Sequence, residues 1–139
     1  MSTPIALGER RALPPGRRLA ARLAVAAARV LAALPPRRIR TVLKLVRTGA
    51  RPAAAAQALG ARDAVMAVSA RCAGRHCLQR SLATVLLCRM SGTCPTWRSG
   101  VRTAPFRAHS WVEAGGRPVG EPHPAGYYIP TVTVGPAHR

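Results

Sequence analysis

The chain changes character once, at Pro95, and that change constrains its fold more than any other feature. Upstream, stretches such as LAARLAVAAARVLAAL (19–34) and CLQRSLATVLLCRM (77–90) are built mostly from helix formers. Downstream, FRAHSWVE (106–113) and YYIPTVTV (127–134) bring in β-branched and aromatic residues, with glycine at turn positions. Helices followed by a small antiparallel sheet is an α+β order. A length of 139 residues allows one sizeable core but not two independent ones.

Within the helical part, Leu19, Leu23, Val30 and Leu34 recur at helical spacing over 17–34, which predicts an amphipathic helix stopped by Pro35 and Pro36. Ile39, Val42, Leu43 and Val46 repeat the pattern over 37–48, and Gly49 is placed to end that helix. The alanine-rich stretch from Pro52 to Arg71 reads as a helix broken or kinked near Gly60. From Cys77 to Met90, Leu78, Leu82, Val85 and Leu86 lie beside a stripe of small residues, Cys77, Ser81, Thr84 and Cys88. This helix is expected to be buried over a wide face, with Gly92 ending it. Residues 1–70 are thus expected to be a helical region and 71–139 the core that carries the chemistry. In the β part, FRAHSWVE and RPVGE flank Ala114-Gly115-Gly116 as a hairpin, and Pro130 sends YYIPTVTV toward a sheet edge.

Net charge is +18, from 22 basic and 4 acidic residues, with Lys44 the sole lysine. A GC-rich coding sequence would produce this arginine, alanine, glycine and proline bias, and no dense basic cluster stands out. A field of that size would also suit an anionic partner, nucleic acid or a membrane surface. Arg22 and Arg29 interrupt the longest apolar run, so no membrane span is expected, and no clean signal peptide is visible. The expectation is a cytoplasmic protein.

Cys72, Cys77, Cys88 and Cys94 are spaced C-x4-C-x10-C-x5-C, without the tight pair typical of structural zinc, and without a secretory signal they are expected to be reduced thiols. No metal or other cofactor is expected. No phosphate-binding G-x-x-x-x-G-K-[ST] loop is present.

A cysteine is nucleophilic as its thiolate, and a helix N-terminus beside cationic side chains favours that form. Cys77 opens a helix, with Arg75 before it and Arg80 a turn beyond, and the helix's first N–H groups could receive an oxyanion. A buried structural cysteine is the plainer alternative, and Cys88 suits it better. A cysteine nucleophile also needs an imidazole and a group to orient that imidazole. A three-residue loop at 114–116 would pair Glu113 with Arg117, Trp111 with Val119 and His109 with Glu121, the last two with Cβ atoms roughly 5 Å apart. A two-residue Gly115-Gly116 turn would set Ser110 opposite Glu121 instead and turn His109 to the other face. Glu113 lies about 13 Å along the strand from His109, too far for a direct bond. His76 and His123 read as surface or supporting residues, and His138 is set aside near the terminus.

The order Cys, His, carboxylate on a helix followed by strands resembles the transglutaminase-like cysteine proteases. More closely, CLQRSLA, GVRTAPFRAHSWVE, a short hairpin and a terminal Tyr-x-Pro element resemble the leader peptidases of lasso-peptide biosynthesis. Their pattern, Cys-Leu-x-Arg-Ser, Gly-Val-Arg, Pro-Phe and His-Ala-Trp-Val-Glu, is matched here by Cys77, Leu78, Arg80, Ser81, Gly100, Val101, Arg102, Pro105, Phe106, His109, Trp111, Val112 and Glu113. The third catalytic residue of that family is usually aspartate; this chain offers Glu121. The resemblance implies a transglutaminase-like (papain-like) core with the nucleophile at a helix N-terminus packed on a small antiparallel sheet. It implies Cys77, His109 and Glu121 as catalytic residues, with Arg80, Ser81, Trp111 and Glu113 supporting them or touching substrate. It further implies a precursor peptide of leader plus core as substrate, a separate leader-recognition protein and the ATP-dependent lasso cyclase as partners, and neither nucleic acid nor membrane. Two alternatives remain: a basic, non-enzymatic binder of nucleic acid or anionic membrane, and an acyltransferase on the same fold.

Overall fold

The computed structural model describes residues 13–136. Helix α1 (Pro15–Ala32) begins on a proline, which a first helical turn accepts because that N–H has no intrahelical partner. Pro35 and Pro36 divide it from α2 (Pro36–Val46), and Gly49, at φ +77°, turns the chain out of α2. Two-residue strand β1 (Arg51–Pro52) pairs in parallel with β2 (Thr93–Cys94). Between them lie α3 (Ala55–Val68), the short α4 (Ala70–Ala73) and α5 (Cys77–Met90).

The expected break at Gly60 does not occur. Helix α3 runs through it and stops at Ser69, whose backbone is extended and whose hydroxyl accepts from the Cys72 N–H at 3.2 Å, starting α4. Helical glycine costs about 1 kcal/mol relative to alanine, too little to end a packed helix, whereas a serine cap begins a new one.

The inward face of α1 also differs from the leucine pattern. Ala21, Ala24, Ala28 and Leu31 are buried, while Leu19, Leu23 and Val30 face outward. The reason lies in the neighbours: α1 packs against α3 and α5, which present Ala58, Ala61, Ala64 and Ala83. Small side chains on both sides let helix axes approach closely, and that close contact selects the alanine face.

The main sheet is antiparallel in the order β5-β4-β3-β6, with β3 (Thr96–Thr103), β4 (Phe106–Ala114), β5 (Arg117–Pro118) and β6 (Ile129–Val134). As its proline predicts, β6 is an edge strand. Its register against β3 shifts between Ser99 and Gly100, where a Cβ would stand 2.9 Å from the Ile129 carbonyl carbon, so only glycine fits. Helix α5 joins the layers, touching α1, α3 and β4, and one apolar cluster runs from Ala21 through Leu82, Val85 and Leu87 to Trp97, Val112 and Val134. Among the described residues no helix is long and apolar enough to cross a membrane.

Candidate active site

The hairpin adopts the two-residue turn, with Gly115 and Gly116 both at positive φ and with Glu113 opposite Pro118 and Ala114 opposite Arg117. The register that would have placed His109 directly across from Glu121 is therefore not formed. The favourable pairing of Glu113 with Arg117 did not decide it, because two consecutive glycines suit a tight turn with both central residues at positive φ. Glu121 reaches His109 nonetheless. After Pro118 the ladder ends, Gly120 turns at φ +66°, and the Glu121 carboxylate meets the imidazole at 2.6 Å, Oε1 to Nε2.

The early end of β5 also uncovers an edge. Val112 turns its backbone groups toward β5 and accepts from the Val119 N–H at 3.0 Å. Ser110, two residues earlier, turns its groups to the same edge, where no strand follows. Cys77 sits there, lining one depression with His109 and Ser110, and both of these act on its thiol. With Nε2 engaged by Glu121, the nitrogen that faces sulfur is Nδ1. Cys77, His109 and Glu121 thus form one chain of contacts.

Burial pushes the Cys77 thiol up, but the hydrogen bonds from His109 and the Ser110 backbone, with the His109 and Arg80 charges, outweigh it, so the pKa falls below its ordinary 9.0. Burial alone would lower His109. Hydrogen bonds to Cys77 and Glu121 and the charges of both push it up to about 9. A thiolate beside an imidazolium is the state these shifts favour. The other thiols differ: burial raises Cys88 to about 11 and also raises Cys94, and Cys72 is fully buried. All four cysteines are unpaired.

Side chains alternate along β4, so His109, Trp111 and Glu113 share one face. The Trp111 and Tyr128 rings stack on the imidazole at centroid distances of 5.7 and 4.9 Å. The buried Glu113 carboxylate accepts from the Trp111 indole N–H at 2.9 Å and pairs with Arg98 at 3.2 Å, so it holds the ring that holds the histidine. Arg80 donates to the Cys72 and Gly74 carbonyls at 3.0 and 3.1 Å, fastening the loop that leads into Cys77. Ser81 faces inward, accepting from the Trp97 indole at 3.0 Å, and joins α5 to β3. The Cys77 N–H donates to the Arg75 carbonyl at 2.9 Å, so within the first turn of α5 an oxyanion would turn to the N–H groups of Leu78 and Gln79. His76 is the exposed N-cap position of α5, and His123 stacks on Tyr127 at 3.7 Å. His138 lies outside the described residues.

Two features were not visible in the sequence. Arg62 on α3 stands 3.8 Å from the second Glu121 oxygen and is largely buried; among so many arginines nothing marked it out. Tyr128 belongs to the Tyr-x-Pro element of the resemblance, with no role attached to it there, yet its ring covers the histidine.

Cys77 lies where two depressions meet. One, of about 590 Å³, is lined by Pro36, Ile39, Leu78, Trp97, Ala108 and Val132. The other, of about 510 Å³, is lined by Ala32, Arg75, His76, Leu78 and Gln79. The first is the more apolar of the two, and together they give room for an extended chain at the nucleophile.

A family model described as the transglutaminase-like superfamily matches residues 21–133. The chain belongs to that superfamily, whose members are typically cysteine proteases or acyltransferases. Comparisons with curated proteins and with solved structures gave no match.

Proposed function

We propose that this protein is a cysteine peptidase that removes the leader from a ribosomally made lasso-type precursor. The observation that carries the reading is the unbroken contact chain from Cys77 through His109 to Glu121, at the meeting of two grooves. The Cys77 thiolate attacks the carbonyl carbon of the leader–core bond. First-turn N–H groups of α5 receive the resulting oxyanion. As the intermediate collapses, His109 gives its proton to the departing core amine, leaving the leader on sulfur as a thioester. Water, deprotonated by His109, then attacks that thioester and releases the leader carboxylate and the thiolate. Glu121 holds the imidazole in orientation and favours its protonated form.

The motif matches around Cys77 and His109 support the lasso-peptide assignment, with a separate leader-recognition protein and a downstream ATP-dependent cyclase. In this scheme residues 1–70 form a docking or lid region, and 71–139 the catalytic part.

The test is mass spectrometry of a lasso-type precursor incubated with wild type or Cys77→Ala, with and without the recognition protein. Separate leader and core masses from wild type alone are expected, with cleavage enhanced by the recognition protein. An unchanged precursor, despite a folded enzyme and its partner, would overturn the reading. A leader–amine adduct in place of the free leader carboxylate would move the protein to the acyltransferases.

A further inference from the structure

The outward face of α1 has no role in the reaction proposed above. Leu19 is 60% exposed, Leu23 54% and Val30 71%, while Ala21 and Ala28 on the inner face are 0% exposed. A helix that buries its alanines and displays its larger apolar residues is inverted relative to a monomer's needs. The spacing is regular: Leu19, Leu23, Ala26 and Val30 follow one another at four, three and four residues, the seam of a heptad repeat. The seam spans three turns, about 16 Å along the axis.

Charge flanks the seam on one side only. Arg18, Arg22 and Arg29 are exposed and lie about 100° round the helix from the seam, while the other flank is Ala20 and Ala27. In heptad terms Arg22 and Arg29 occupy the g position, where a facing helix supplies ion-pair partners. A second copy of this seam would bring further arginine or alanine, so self-association gains no ion pair. A lipid surface is laterally uniform and would reward cations on both flanks, along with aromatic residues that α1 lacks.

We propose that the Leu19–Val30 face of α1 is a docking seam for an amphipathic helix of a partner protein, one with an apolar ridge of matching length and carboxylates that meet Arg22 and Arg29.

The experiment uses the full chain and two synthetic three-heptad peptides with leucine at both seam positions, one flanked by glutamate and one by lysine. Titration calorimetry is expected to show saturable binding of the glutamate peptide, weakened at least about tenfold by Leu23→Ser with Val30→Ser. Arg22→Glu with Arg29→Glu is expected to reverse the preference toward the lysine peptide. All four residues are solvent-exposed, and circular dichroism checks that the variants stay folded. Equal affinity for the two peptides, absence of binding, or unchanged binding by the serine variant would overturn the proposal. So would seam-dependent binding to phosphatidylglycerol vesicles without peptide binding, which would identify a lipid-contact helix.

Discussion

Glu121 bonds to His109 at 2.6 Å from a segment outside the sheet. His109 is held by strand β4, whereas Glu121 is held by the turn at Gly120 and by Arg62 behind it. The pair is thus assembled by how β5 ends. Replacing Glu121 by Gln keeps a polar group at Nε2 but removes the charge that favours imidazolium. The expected outcome is a fall in kcat/KM for precursor cleavage on the order of 10²- to 10⁴-fold, with an unchanged circular dichroism spectrum. Wild-type turnover in that variant would remove Glu121 from the mechanism.

The shifted acidities set a pH window. Cys77 is lowered from 9.0 and His109 raised to about 9, so the thiolate–imidazolium state fills as Cys77 ionises and empties as His109 loses its proton near pH 9. A profile of kcat/KM should rise through the first ionisation and decline near 9. Because the Glu121 charge raises His109, Glu121→Gln should move the declining limb to lower pH. An alkaline limb that stays in place would show that this charge does not act on His109.

The two ends of the catalytic chain differed in how legible they were. Cys77 could be read because a cysteine opening a helix is a local pattern, and His109 because histidine is uncommon within a strand. For Glu121 the family resemblance points to the residue that reaches His109, but the cross-strand register that would pair the two is not formed; its contact depends on where β5 stops, beside Pro118 and Gly120. Arg62 approaches from α3, more than fifty residues away in sequence, and no periodicity encodes that approach. Helix α1 shows the same limit: its period was legible, but which face points inward depended on the alanines of α3 and α5.

Gly120 tests the support of Glu121. Its φ of +66° costs a residue with a side chain roughly 1–2 kcal/mol, and a Cβ there would stand 2.8 Å from Nη1 of Arg62. Gly120→Ala should lower Tm and also reduce kcat, because the guanidinium and Glu121 shift together. Adding Arg62→Ala relieves the steric part but leaves the backbone strain. The double variant should therefore recover part of the Tm loss, and failure to recover any would assign the whole effect to backbone conformation.

Ser81 separates structural support from chemistry. Its hydroxyl accepts the buried Trp97 N–H and donates to the Leu78 carbonyl at 2.9 Å, tying the nucleophile's helix to β3. Ser81→Ala leaves the indole N–H without a partner in the core, at a cost of about 1–3 kcal/mol. Chemical denaturation should show that loss as a lower midpoint with an unchanged slope. Well below the new Tm, kcat should stay close to wild type, because the hydroxyl's two hydrogen bonds go to Trp97 and to the Leu78 carbonyl. Ser81→Cys, which retains only a weak acceptor for the indole, should fall between the two in stability. A large fall in kcat with the denaturation midpoint intact would instead place Ser81 in contact with the substrate.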